Sequence, residues 1–498
     1  MKGDTAAMFE QITTKGTVFT DPHGRTRIFN GVNYVFKGEK PDEDGIVHYH
    51  HPLTEENLRD LRQKGVNILR LGMTWAGIEP EMGKYNRVYL DEVRQVIDAA
   101  AKEGIYVFLD WHQDLYSGFG LGVGDGAPAW ACLTKKKMKK PRFIWAEGYF
   151  FGGAVFECFD AFWHNRDLAG RGVQDRFCDM LAFTVKYLSG AENIMGYDVL
   201  NEPYPGSEGG KVFRKLVRSG VSTLLKLPTK EKLTRLQQLK DKQIMDALGV
   251  LDDPAVYHGI IDPARSRLNA FDIGVYYDFL CRAGQAIRGV TEKGVLFFEN
   301  SYYSNLGIPC AVPRPVYADG GAEPNLAFAP HGYDLTVDTP LTNTASTHRV
   351  DFIFNEHADK QRRMGLPVLV GEWGGMVAGG DAYPALEHLI AKFDGNGWSQ
   401  TYWHYSREIA DSRIFEILNR PHPRAVAGRD LAYGFDRVKN VFTLAYTGEP
   451  ADAPTEVYLP AKPAAVSAPD GWALTDADGC FLLTVPAVPG DVKVEVTL

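Results

Sequence analysis

The chain has 498 residues, enough for two to four domains of ordinary size or for one large barrel with a small appendage. Its 45% hydrophobic and 23% charged residues fit a globular protein and exclude a disordered, collagenous or coiled-coil chain. With 54 basic and 63 acidic side chains the formal net charge is −9, so no basic excess exists to neutralise phosphates and nucleic acid is not an expected partner.

One unit recurs along the chain: an amphipathic helix, a glycine stop, then a short apolar strand ending in polar residues. Thr54 is placed to cap a helix whose Leu58 and Leu61 face inward, and Gly65 ends it before the apolar run 66–71. Val93, Val96, Ile97, Ala100 and Ala101 share one helix face, Gly104 stops that helix, and 105–109 runs into Asp110-Trp111-His112. Phe177, Met180, Leu181, Val185 and Leu188 repeat the pattern before 194–200 and Asn201-Glu202-Pro203. Such alternation predicts parallel strands joined by crossover helices.

Eight strands are read near 28–34, 66–72, 105–110, 194–201, 294–299, 326–331, 367–372 and 400–404, the number of a (β/α)8 TIM barrel. An open doubly wound sheet competes, but no Gly-rich phosphate turn follows the first strand. In a barrel the chemistry sits at the C-terminal strand ends. Here these carry Asn33, Arg70, Asp110 with His112, Asn201 with Glu202, Glu299 with Asn300, His331 with Tyr333, Glu372 with Trp373, and Trp403 with His404. The connections 113–173 and 205–290 are long insertions, the second containing a charged helical stretch, Thr229 to Leu248. After Pro421 the pattern turns to short alternating strands between Gly and Pro turns. A barrel over 1–428 and a small C-terminal β-sandwich over 429–498 are expected.

Two carboxylates at the ends of strands four and seven, Glu202 and Glu372, can point at one axis, and cleavage of a glycosidic bond needs two: one protonated to help the leaving oxygen depart, one ionised to attack the anomeric carbon. Asp110-Trp111-His112-Gln113-Asp114, the segment from Phe159 to Asn165, Asn201-Glu202-Pro203, Pro330-His331-Gly332-Tyr333, Gly371-Glu372-Trp373-Gly374 and Tyr402-Trp403 together resemble glycoside hydrolase family 5, and within it the endoglycoceramidases and related glycosylceramidases. The resemblance runs over roughly 25–425, and the C-terminal β-domain is similar to that group as well.

The resemblance implies a retaining β-glycosidase acting between a glycan and a lipid aglycone, with ceramide favoured. It implies Glu202 as acid/base and Glu372 as nucleophile, the latter supported by Arg70 and by a hydrogen bond from Tyr333. Asn201 would hold the sugar 2-hydroxyl, His112 and His331 would bind hydroxyls or orient the carboxylates, and Trp403 would floor the ring being cleaved. Lys37, Asp110, Asp114 and Trp163 complete the expected substrate contacts. An exo-acting glucosylceramidase, a steryl or aryl β-glucosidase and a β-glucan endoglucanase share the mechanism and remain alternatives. A non-catalytic glycolipid-binding module is disfavoured by the presence of both glutamates. Glu299, His404 and Glu157 show no paired role and are read as structural.

No cofactor or metal is expected; His50 and His51 are adjacent and would point apart, with no carboxylate to complete a facial set. The six cysteines are too scattered for a disulfide framework, a Cys132 to Cys158 bridge being the pairing left open. No window nears the roughly 18 apolar residues of a membrane span and no signal-like stretch opens the chain, so a soluble protein is expected, cytoplasmic or freed of its leader. Five lysines in 135–140, beside Trp130, Phe143, Ile144, Trp145, Tyr149, Phe150 and Phe151, form either a solvated loop or a contact with a membrane or micelle that presents a glycolipid substrate.

Overall fold

Thr54 begins the first barrel helix with a reciprocal cap: its hydroxyl accepts the Asn57 N–H while the Asn57 side chain accepts the Thr54 N–H. Helix Glu55–Gln63 buries Leu58 and Leu61 and stops before Gly65, whose positive φ of 86° suits a residue without a Cβ. Helices Arg87–Lys102 and Val173–Leu188 bury the stripes read from their periodicity, except that Ala101 is half-buried. This computed structural model describes residues 9–35, 37, 53–142, 144–240, 248–339, 341–377, 379–380 and 383–498. The extreme N-terminus, His50, His51, Phe143 and the stretch 241–247 lie outside the described residues.

Eight parallel strands form one sheet: β1 (Asn30–Val35), β2 (Ile68–Thr74), β3 (Tyr106–His112), β4 (Ile194–Asp198), β5 (Val295–Phe298), β6 (Leu326–Phe328), β7 (Leu369–Val370) and β8 (Ser399–Tyr402). Their spatial order is β6-β5-β4-β3-β2-β1-β8-β7. A parallel bridge between Phe328 and Val368, and pairing of His331–Gly332 with Glu372–Trp373, close the ring between β6 and β7. All eight strands expected from the sequence are present, and the fold is the TIM barrel.

Side chains alternate across the barrel wall, as a period of two requires. Leu69, Leu71, Val107, Leu109, Leu296 and Phe298 pack with the surrounding helices, whereas Ile68, Phe108, Val295, Phe297, Ala327 and Leu369 pack into a separate apolar cluster with Phe29. Two residues further along their strands come Arg70, Asp110 and Glu299, all fully buried. The barrel interior thus changes from apolar to polar within one layer, and that change sets the depth of the site.

The C-terminal strands form two facing antiparallel sheets. One contains Gly428–Asp436, Val441–Gly448, Ala465–Ser467 and Gly490–Thr497; the other contains His422–Val426, Thr455–Leu459, Ala473–Asp476 and Phe481–Val485. Phe442, Leu444, Val457, Leu483, Val494 and Val496 fill the space between them. Three N-terminal strands, Thr13–Lys15, Val18–Thr20 and Thr26–Arg27, extend the second sheet. At two or three residues each they are too short to show a period, which is why the sequence does not reveal them. The six cysteines are free thiols, so no Cys132–Cys158 bridge forms.

The first insertion carries helices Glu147–Phe151 and Gly153–Trp163; the second carries Ser207–Lys226, Thr229–Lys240, Pro254–Phe271 and Tyr277–Arg288. The rings of Phe150 and Phe213 stack at 4.4 Å and join the two insertions. In the barrel wall, a methyl group at Gly31 would overlap the Ile68 carbonyl oxygen across the β1–β2 ladder. Gly31→Ala is therefore expected to destabilise the protein by about 1–3 kcal/mol. A thermal melt should show a lower midpoint, and an unchanged one would contradict this close approach.

Candidate active site

Arg70 at the core of the barrel has five N–H donors and uses all of them. Nε donates to Asp198 (3.0 Å), Nη1 to Asn33 (3.0 Å) and Glu372 (2.6 Å), and Nη2 to Asn201 (3.0 Å) and Glu299 (2.7 Å). Asp110 Oδ1 stands 3.0 Å from Nη2 as an additional ion-pair partner. Four buried carboxylates thus surround one guanidinium.

Glu372, beyond the end of β7, takes the Arg70 bond on Oε1 and a 2.8 Å bond from the Tyr333 hydroxyl on Oε2. Glu202, beyond the end of β4, accepts a 2.5 Å bond from Asn305 on Oε1, and His331 Nδ1 lies 3.2 Å from the same oxygen. That imidazole nitrogen also stands 3.5 Å from Glu372 Oε2. One oxygen from each glutamate and a His331 nitrogen all fall within 4.8 Å of one another. Burial pushes the Glu202 carboxyl up to about 7, the His331 contact opposing the shift and Glu372 adding to it. One carboxyl that keeps its proton near neutrality therefore faces a second that is held by cationic and hydroxyl donors.

Around this pair, Lys37 is exposed and pairs with Asp114 and, at 3.3 Å, with Asp125. Its ammonium sits 5.3 Å from the centre of the half-buried Trp403 ring. Against the opposing desolvation of its ammonium by the surrounding site, the two aspartates hold the lysine above its ordinary range. His112 stacks on Trp403 at 5.4 Å, and its Nδ1 bonds Asp110 at 2.8 Å while Nε2 has no hydrogen-bond partner. Asn201 Oδ1 accepts from Arg70 and its amide donates one hydrogen to the Gln113 carbonyl, which leaves one amide hydrogen over. Three donor sets, His112 with Asp114 and Asp125, Asp198 with Glu299 and His331, and Glu202 with His331 and Glu372, could each offer three atoms to a metal ion. In all three a carboxylate is already paired with Lys37 or Arg70.

The family profile described as cellulase (glycosyl hydrolase family 5) matches residues 37–230 and 277–408, and the profile for the family 5 C-terminal domain matches 420–485. The chain belongs to glycoside hydrolase family 5. It is 26% identical over 494 residues to endoglycoceramidase I of Rhodococcus hoagii, covering 95% of this chain and 85% of that one. To the endoglycoceramidase of Cyanea nozakii it is 29% identical over 488 residues, covering 89% and 82%. Among solved structures, endo-glycoceramidase II from Rhodococcus sp. in its ganglioside GM3 complex superposes with a TM-score of 0.72 at 23% identity, covering 97% and 99%. At that identity the structural likeness speaks for the fold.

Two of the expected substrate contacts are occupied by protein partners in this family 5 structure. Trp163 is a packing residue: its indole N–H donates to the Tyr204 carbonyl at 2.8 Å, and its ring lies against Phe162, Phe271 and Phe279. Asp110 is fully buried, with its oxygens turned to Arg70 and His112, so it supports the site from below. Burial alone would raise it, but Arg70 and His112 overcome that and hold it below the usual carboxylate range. Asn305, Asp125, Asp198 and Glu299 were not expected in the site. Asn305 lies in the turn Tyr302–Leu306, and Asp125 is folded back by a bridge to Asp114, so neither has a strand-end signature. Glu299 sits at a strand end as visibly as Glu202 does, and only the geometry reveals its partners. Removing the hydroxyl on Glu372 by Tyr333→Phe deletes a bond to a charged group worth about 1.5–3 kcal/mol, so kcat/KM for hydrolysis should fall roughly 10- to 100-fold with the fold intact. Unchanged kinetics would show that this bond does not serve the reaction.

Proposed function

We propose that the protein is a retaining endoglycoceramidase, which hydrolyses the β-bond between the glycan of a glycosphingolipid and its ceramide. The observation that carries the reaction is the approach of Glu202 and Glu372 to within 4.8 Å, close to the short separation of retaining enzymes and well below the roughly 6.5–9.5 Å that seats an inverting water. The near-full-length likeness to two endoglycoceramidases supports the substrate class.

In this reading Glu372 Oε2 or Oε1 attacks the anomeric carbon, and the bond to the aglycone oxygen breaks as that oxygen takes the proton from Glu202. Ceramide leaves with a neutral hydroxyl, and the glycan is held as an ester of Glu372. Glu202, now ionised, removes a proton from water as the water oxygen attacks the same carbon. The ester bond breaks, Glu372 regains its charge and Glu202 its proton. Arg70 and Tyr333 stabilise the carboxylate as it forms again, the spare amide hydrogen of Asn201 suits the sugar 2-hydroxyl, and the exposed part of Trp403 suits the ring face. Lys37, Asp114 and His112 Nε2 offer polar atoms for further hydroxyls.

Peripheral contact with a bilayer or micelle belongs to the same proposal. Among the described residues no helix is long and apolar enough to cross a membrane. Lys135, Lys137, Lys139 and Lys140 carry no ion pair among the described residues, while Lys136 is tied to Glu157 at 3.1 Å. Nearby, Phe151 is 72% exposed, and Val217, Val221 and Leu225 form an exposed stripe on the adjoining helix Ser207–Lys226. Cations flanked by exposed apolar groups suit an anionic lipid surface.

Incubation with ganglioside and with glucosylceramide, followed by mass analysis, should release intact oligosaccharide and ceramide from the first. Release of glucose from the second alone would favour an exo-acting glucosylceramidase. The Glu372→Gln variant should lose at least a thousandfold in turnover, and near-normal turnover would refute the mechanism. The alkaline limb of kcat/KM should fall with an apparent pKa near 7, because the raised Glu202 carboxyl is protonated below that pH and spent above it. A limb that persists in Glu202→Gln would assign it to another group. Replacing the five lysines of 135–140 by Gln should weaken co-sedimentation with anionic vesicles while leaving hydrolysis of a soluble aryl glycoside unchanged. Unaltered vesicle binding would remove the lipid contact of this loop.

A further inference from the structure

Glu202 has a φ of 42°, in the left-handed region that a residue with a Cβ enters at a cost of about 1–3 kcal/mol. Such a conformation persists only where its surroundings hold it. On one side the Gln113 amide donates to the carbonyls of Asn201 (2.9 Å) and Glu202 (3.2 Å). On the other, the Glu202 N–H points into the barrel and donates to Glu299 Oε2 at 2.6 Å. Glu299 is fully buried, and its Oε1 accepts from Arg70, the residue that holds Glu372. The two glutamates of the site are therefore connected through Glu299 and the Arg70 guanidinium by three short hydrogen bonds.

We propose that Glu299 is a positioning residue that fixes the acid/base carboxyl of Glu202 in line with the leaving oxygen. This rests on the role proposed above for Glu202. The segment that begins at Glu299 touches Glu202 twice: Glu299 holds its backbone, and Asn305 holds its carboxyl. Asn305 is oriented in turn by Asn300 (2.6 Å), whose own oxygen accepts the His331 N–H (2.8 Å). Both oxygens of Glu299 receive donors, so an amide in its place must turn its NH2 toward either the Glu202 N–H or Arg70. The other titratable groups facing it are Asp110, Asp198, His331 and Glu372; His331 Nε2 is 3.2 Å from Oε1 but not aligned for a hydrogen bond. The Tyr276 hydroxyl donates to the Glu299 carbonyl at 2.9 Å and anchors the main chain.

A residue that places the acid matters only when the leaving group needs a proton, and this separates positioning from mere structural support. Glu299→Gln and Glu299→Asp would be compared with Glu202→Gln on two soluble glycosides of the same sugar, one with an alkyl leaving group and one a glycosyl fluoride. Glu299→Gln should lower kcat/KM 10- to 100-fold on the alkyl glycoside and less than about threefold on the fluoride, with KM nearly unchanged. Glu299→Asp keeps both acceptors and should lie between it and the parent enzyme, and it carries the test if Glu299→Gln does not fold. Equal losses on both substrates would show that Glu299 acts through Arg70 on Glu372 or on stability alone, and would overturn the proposal, as would no loss. If Glu202→Gln itself lacked leaving-group dependence, the acid assignment would fall instead, so the two failures are distinct.

Discussion

Everything at the mouth of this barrel depends on one buried cation. Arg70 spends its five donors on three carboxylates and two asparagine side chains drawn from β1, β4 and the ends of β5 and β7, with Asp110 of β3 added by charge. Removing it would strand those buried carboxylates without their cation, where an unpaired charge costs several kcal/mol. It also explains why strands so far apart in sequence end at matching heights: each is tied to a single planar group whose geometry tolerates little displacement.

One guanidinium cannot neutralise four carboxylates, and the excess charge appears as opposed shifts among them. Burial pushes Glu299 up to about 8, with Asp110 and Glu372 adding to the rise, and raises Asp198 well above the carboxylate range, with Glu299 adding to it. Asp110 is held down by Arg70 and by His112, which Asp110 in turn raises well above the ordinary imidazole range despite its burial. The carboxylates thus differ in balance: at Asp110 the cations outweigh burial, whereas at Glu299 and Asp198 burial and neighbouring carboxylates outweigh the cation they share. Glu202 at about 7 belongs between them, which is where a residue that gives and takes a proton in each cycle has to lie.

The sequence revealed those parts of the fold that obey a period. The strands β1 to β8 and the helices between them follow apolar spacing, glycine stops and a cap at Thr54, so their order and number could be read. Glu202 and Glu372 were legible because each follows such a strand within a distinctive motif. The packing of Trp163 is not legible because an indole serves a sugar and a helix core equally well, although its spacing from Phe159 and Phe162 is that of a helix face. The N-terminal strands, the turn carrying Asn305 and the return of Asp125 toward Asp114 depend on contacts across the chain and leave no local pattern.

Glu299 shows the limit of reading sites from strand ends. A carboxylate at that position was visible, but a carboxylate has no evident role until its partners are known, and these come from β2, from the turn after β4 and from the segment after β6. What distinguishes it from an ordinary structural acid is that one of its partners is a backbone N–H. The turn after β4 bends inward at Glu202 and would leave that donor buried and unpaired, at a cost of about 1–3 kcal/mol. An acceptor at the end of β5 satisfies it, and the same acceptor leans on Arg70. The conformation that presents Glu202 to the substrate and the cation that holds Glu372 are consequently one cooperative unit, in which a shift of either glutamate is transmitted to the other.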